Sequence, residues 1–329
     1  ENVAVIDAQP KRELLKQHLL EQHRMKLENV LRVLAAQDRS GQMKVITRGI
    51  FSLDQRRKGN SVEALDDLLD KSLTKIILPL LGDDAPDQRL AAGRKYFSLS
   101  EFPGDAPGFY EHLLAGEDWV ALTLVLELLG AEKTVSVDRN VLEMSLKNAY
   151  GSVRQAAKRL LEESVQGTGA KETEMESDLS VPDKILYLKG IDIFEGLTIG
   201  ELAAVASITD EETHDEQENV ITEGDLGETL YLIIDGEVAV IKGWATEQPV
   251  ELDRIATGNY FGEMALFEDD TRSATIQTET SSRFLILHKQ EFKEIVREYP
   301  LIALHATKVL SSRLRQLSRK VATCDFQIP

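Results

Sequence analysis

With a single cysteine, Cys324, the chain cannot close an internal disulfide. That usage suits a reducing compartment and leaves Cys324 as an inert tail residue. Long apolar runs are also missing. The longest candidate, Trp119 to Gly130, is interrupted by Glu127 and falls short of the ~20 residues that a membrane helix needs. No basic-then-apolar leader opens the chain, which starts with Glu1 rather than Met. The expectation is a cytoplasmic piece of a longer protein, tethered if a membrane segment precedes it. Basic residues are in deficit, with 38 Lys and Arg against 56 Asp and Glu, for a net charge of -18. Binding to a phosphate backbone needs a basic footprint, so no nucleic-acid partner is expected. Any bound anion must be held by local groups against the overall field. Histidine is sparse. The second half has only His214, His288 and His305, with no His-x-His pair, so a metal-dependent jelly-roll enzyme is disfavoured. No metal site, no catalytic residue and no enzymatic activity are expected.

What is present divides the chain in two. A hydrophobic fraction of 42% is enough for packed cores, and 329 residues allow two or three domains at roughly 100–200 residues each. Gln166 to Asp183 is small and charged, a linker composition. It separates a helical domain at 1–165 from a second domain at 184–329. In the first, Leu14, Leu15, Leu19, Leu20, Leu27, Val30, Leu31 and Leu34 recur at helical spacing. Shorter segments then stack at a period of 32 to 33 residues: Arg57 with Val62 to Leu65, Leu78 to Leu81 with Asp83, Asp84 and Arg89, Asp118 to Leu129, and Val153 to Leu161. An apolar helix, an acidic turn, then Val-Arg and paired alanines resembles HEAT repeats, which implies an α-solenoid. An irregular helical bundle is the alternative.

In the second domain the period shortens to two. Leu230 to Ile234, Val238 to Ile241, Val250 to Leu252, Ser273 to Thr278 and Arg283 to Leu287 read as short strands separated by turns such as Asp235-Gly236 and Thr257-Gly258. This predicts a β jelly roll flanked by helices at Leu197 to Ala206, Gln290 to Glu298 and Leu301 to Lys320. The acid-rich run of Asp210, Glu211, Glu212, Asp215, Glu216 and Glu218 is expected to be a solvated loop or turn.

One stretch carries chemistry. Phe261-Gly262-Glu263-Met264-Ala265-Leu266 is followed by Arg272-Ser273-Ala274. Gly262 permits close backbone approach. Met264 to Phe267 can form a short helix with N–H groups free to meet a phosphate. Arg272 offers a planar donor fork. Glu263 would repel a phosphate but can accept from a sugar hydroxyl. Upstream lie Val220-Ile221, Gly224-Asp225, Gly227, Leu230 to Ile233 and Gly236.

The two blocks together resemble the cyclic nucleotide-binding domain family, over about Leu186 to Arg319. The resemblance implies Arg272 on the cyclic phosphate and Glu263 on the ribose 2′-OH. Gly262, Met264, Ala265, Ser273 and Ala274 would surround the phosphate, with Val240, Leu252 and Met264 against sugar or base. Ser273 stands where cGMP-selective relatives often carry Thr, so cAMP is favoured over cGMP. Thr271 stands where Pro is common. A non-binding scaffold is the alternative, if Glu268, Asp269 or Asp270 neutralises Arg272. The family also implies a movable helix after the barrel, with Phe292, Ile295 and Val296 as hinge candidates. With only a few residues after Lys320 in this sequence, no DNA-reading helix-turn-helix is expected. Helical repeats before such a domain are similar to the soluble extension of bacterial ADP/ATP-carrier-like membrane proteins. That architecture implies a transport regulator with a protein or membrane-domain partner bound through the helical half.

Overall fold

A computed structural model describes residues 8–52, 54–81, 86–97, 106–132, 138–165 and 178–324. Among the described residues up to 165 there are only helices: α1 (Ala8–Gln37), α2 (Gln42–Ile50), α3 (Gln55–Leu68), α4 (Lys71–Leu81), α5 (Pro86–Arg94), α6 (Ala106–Leu114), α7 (Trp119–Glu132), α8 (Arg139–Ser145) and α9 (Gly151–Val165). Two compact units are distinguished, Leu19–His112, and Glu1–His18 together with Leu113–Pro329. The linker read at 166–183 falls inside the second of these, and residues 166–177 of it lie outside the described residues.

In the Leu19–His112 unit, α2 buries Met43, Ile46 and Ile50 at helical spacing against Leu31, Leu65, Ile77 and Leu81. Asp54 caps α3 by accepting from the N–H groups of Arg56 and Arg57. Gly49 lets α2 meet α3 closely, because a Cβ there would lie 1.9 Å from Ser61 Oγ. In the other unit α7 is buried almost all round, from Val120 to Leu129. It packs on α9, where Ala156 and Ala157 sit in one core with Leu122, Leu126 and Leu142. The two small residues allow the close approach that the paired alanines suggest. Arg154, however, donates to the Asn148 and Ala149 carbonyls at 2.7 Å rather than to an acid.

Beyond 178 come α10 (Val181–Leu188), a 3₁₀ turn (Asp192–Phe194), α11 (Ile199–Ala206), and eight strands. The strands are β1 (Thr209–His214), β2 (Asn219–Ile221), β3 (Thr229–Asp235), β4 (Glu237–Lys242), β5 (Val250–Ala256), β6 (Tyr260–Phe261), β7 (Thr275–Thr278) and β8 (Ser282–His288). Helix α12 (Met264–Phe267) lies between β6 and β7, while α13 (Lys289–Glu298) and α14 (Pro300–Cys324) follow β8. Thr198 and Glu201 form a reciprocal capping box at the start of α11. The strands make two antiparallel sheets, ordered β1-β8-β3-β6 and β2-β7-β4-β5. One core joins them: Ile233, Phe261, Phe284 and Ile286 from the first sheet meet Ile221, Val238 and Ile276 from the second. Burying each such side chain contributes roughly 1.5–3 kcal/mol.

The acid run departs from expectation. Asp210 to Glu212 are not in a loop but in β1, which pairs with β8 along its length. The Glu211 side chain is 6% exposed and is held by Lys184 and Arg283. A carboxylate with two cationic partners can enter a strand that its own propensity disfavours. Strand β5 also runs on to Ala256, past the expected end at Leu252.

Candidate functional site

The two motif blocks are bonded to each other. Arg272 N–H donates to Asp225 O at 2.7 Å and Gly224 N–H donates to Arg272 O at 2.9 Å. A β-bridge joins Leu226 to Thr271 beside them. The turn at Glu223 to Gly227 therefore fixes the backbone that carries the arginine. Gly227 also makes room for it, because a Cβ there would lie 3.1 Å from both Arg272 Nε and Ala265 Cβ. On the other side Gly262 has φ of 79°, the left-handed region that glycine adopts without strain. The chain then turns directly into α12, with Ala265 N–H donating to Gly262 O at 3.2 Å.

These elements enclose a cavity of about 340 Å³, within the range of small-ligand sites. Its walls include Val240, Gly262, Glu263, Met264, Ala265, Arg272, Ser273 and Ala274. Of the expected site residues, only Leu252 is not on the wall. It is the extra residue where the β4–β5 register shifts, and it is 60% exposed. Such a bulge turns one side chain away from the ladder. Strand β5 contributes Ile255 to the wall instead.

The half-buried guanidinium of Arg272 is held by neutral acceptors. Nη2 donates to Thr229 O at 2.8 Å and to Thr229 Oγ1 at 2.7 Å, and Nη1 donates to Gly262 O at 3.3 Å. Burial pulls its pKa down from the ordinary value, with Tyr231 and Glu263 opposing. Among the described residues no carboxylate forms an ion pair with it. Asp269 pairs with Lys289, and Asp270 accepts from the Thr271 N–H at 2.7 Å. Glu268, whose side chain lines the cavity, gives its carbonyl to Lys289 Nζ at 2.6 Å. Of the three acids that could have satisfied Arg272 from within, Asp269 is paired with Lys289, and neither Glu268 nor Asp270 forms a salt bridge with the guanidinium. A half-buried cation on a cavity wall, hydrogen-bonded to neutral acceptors and without an ion-pair partner, is suited to an anion.

Three contributors have no sequence signature. Thr229 orients Arg272 across 43 residues. Lys289, buried at the start of α13, ties that helix to the end of α12. Lys242 donates to Ser273 O at 2.7 Å and pairs with Glu223, bracing the loop after Arg272. The hinge candidate Phe292 is buried and meets Phe267 of α12 edge-on, at 5.9 Å and 81° between rings; Ile295 and Val296 are half-buried. Among the described residues no group of His, Cys, Asp or Glu is placed to hold a metal ion, and no helix is long and apolar enough to cross a membrane.

Residues 211–299 match the family described as "Cyclic nucleotide-binding domain". The chain is 27% identical over 140 residues to the Cyclic AMP receptor protein of Thermus thermophilus, covering 43% of this chain and 65% of that protein. It is 32% identical over 108 residues to the cAMP-activated global transcriptional regulator CRP of Pasteurella multocida, covering 32% and 52%. Human cGMP-dependent protein kinase 2 is 29% identical over 112 residues, covering 33% of this chain and 15% of the kinase. The chain thus spans less than two thirds of the length of each of these relatives.

Proposed function

We propose, on the premise that residues 211–299 form a cyclic nucleotide-binding domain, that this chain is a regulatory module that senses a cyclic nucleotide and performs no chemistry of its own. The observation that carries the reading is Arg272, a half-buried charge facing the cavity with neutral acceptors as partners. A cyclic phosphodiester brings the single negative charge that matches it. In this reading Glu263 accepts from the ribose 2′-OH. The Gly262 to Ala265 backbone, Ser273 and Ala274 surround the phosphate, and Val240 and Met264 flank sugar or base. Ser273 supports cAMP over cGMP, and the names of the relatives include both nucleotides. The net charge of -18 supports the absence of a nucleic-acid partner.

Ligand binding would act through α12. Phe267 against Phe292, and Lys289 against Glu268 and Asp269, give any movement of α12 a direct route into α13. The ligand's differential affinity for two positions of α13 would set the response. The helical half would receive it. The shared core of α7 and α9, with Ala156 and Ala157 at the contact, supports a HEAT-like scaffold role there, and regulation of an attached membrane transporter is the broader form of the same reading.

Titration calorimetry with cAMP and cGMP tests the reading. Binding of cAMP is expected to be the tighter. Arg272→Leu removes a charge-assisted contact of about 1.5–3 kcal/mol and should weaken binding by roughly 10- to 100-fold, with the fold retained. Heat of binding undiminished in the variant would remove Arg272 from the site, and no heat from either nucleotide would end the proposal.

A further inference from the structure

Polar contacts fasten α7 and α9 to one corner of the first sheet. Glu211 of β1 accepts from the Leu179 N–H at 2.7 Å and pairs with Lys184 and Arg283. Arg159 of α9 reaches Glu127 at 3.4 Å and Asp178 O at 3.0 Å. Lys11 reaches Ser180 and Asp183 at 3.5 Å. Several of these groups are largely buried, and each shares partners with the next, so this side is firmly joined.

Helix α13 meets the same helices differently. Its last turn and Tyr299 border a cavity of about 550 Å³ whose lining includes Trp119, Tyr150, Ile295, Glu298 and Tyr299. Trp119 and Tyr150 are stacked, with ring centroids 5.3 Å apart and planes 16° from parallel. Burial pushes the Tyr299 hydroxyl above its ordinary pKa. Glu298 adds to the rise and the Trp119 side chain opposes it, so the phenol lies near that aromatic pair. A close-packed contact resists displacement, but one bordered by a cavity lets an element shift without breaking a core.

We propose that Tyr299 is the output contact of the nucleotide site. Displacement of α13 moves its ring relative to the Trp119–Tyr150 pair and carries the ligand state into α7 and α9. The inference rests on the nucleotide-binding reading and adds to it the receiving surface. Linkage makes the coupling reciprocal, so a change at Tyr299 that frees α13 also alters nucleotide affinity.

The chain has two tryptophans, and Trp244, in the turn after β4, is 38% exposed. Trp244→Phe leaves Trp119 as the sole indole reporter. The full chain carrying that substitution is titrated with cAMP, with calorimetry and Trp119 fluorescence read in parallel. The expected result is a saturable change in emission with the calorimetric midpoint. Adding Tyr299→Ala should leave a heat of binding, with its midpoint shifted, and lose the emission change. Heat with unmoved emission overturns the coupling alone and leaves the nucleotide site standing. An unaltered emission change in the Tyr299→Ala chain also overturns it. No heat from either nucleotide overturns the binding reading and this inference with it. Should Tyr299→Ala fail to fold by circular dichroism, the titration of Trp244→Phe decides alone.

Discussion

Gly262 shows how tightly single positions are constrained around the cavity. An added Cβ would lie 2.6 Å from Arg272 Nη1 and 2.9 Å from Thr229 O, at a φ of 79°. Gly262→Ala should therefore act twice. Left-handed backbone costs a non-glycine residue about 1–2 kcal/mol, which denaturant unfolding would read directly. Displacing the guanidinium should also raise the cAMP Kd by roughly tenfold, about 1.4 kcal/mol. A variant with parental affinity would mean that the fork does not touch the ligand. At this scale much of the cavity wall was legible in the sequence. Gly262, Glu263 and Arg272 announce themselves because their chemistry is unusual and their spacing short. Thr229 and Lys289 do not, because a threonine before an apolar run and a lysine at a helix start are ordinary. Their partners become apparent only when the chain brings Gly262, Glu268 and Arg272 to them.

Elements were readable where one local rule decided them. The short apolar run Leu230 to Ile234, ended by Asp235-Gly236, foretold β3, and the run Met264 to Phe267 foretold α12. Strand β1 was missed because its fitness is entirely tertiary. Thr209 to His214 carries three consecutive acids, and what makes it a strand is β8 alongside it and the two cations at Glu211. Leu252 was misplaced for a related reason, since a bulge shifts which side chains face inward and leaves no mark in composition. Glu211→Gln tests the account of β1. It leaves Lys184 and Arg283, with side chains 11% and 18% exposed, short of their shared counter-charge. Removing one member of a buried ionic group should lower stability by about 3 kcal/mol, seen as a lower urea midpoint with an unchanged slope. A loss below about 0.5 kcal/mol would place the trio among ordinary surface pairs.

Over the whole molecule, the family resemblance covers the barrel and says little about the helices before it. Helical content there was plain from periodicity. The division into Leu19–His112 and the remainder was not, because the boundaries fall inside α1 and near the end of α6 rather than at a linker. Scanning calorimetry provides a test at this scale. Ligand at a hundred times its Kd stabilises the unit that binds it by about 2.7 kcal/mol. With cAMP the transition of the unit holding residues 211–299 should rise, while that of Leu19–His112 should stay in place. Equal shifts of both would show that the two melt as a single body.

The route of the chain has a further consequence for its birth. Lys11 finds Asp183 across 172 residues of sequence. At about 5–20 residues per second, translation separates the two by on the order of 10–30 s. The turn carrying Lys11 is thus made well before its partners Glu127 of α7 and Asp183 of α10, and it waits until both have left the ribosome. Leu19–His112, whose own core needs nothing downstream, can close during that interval.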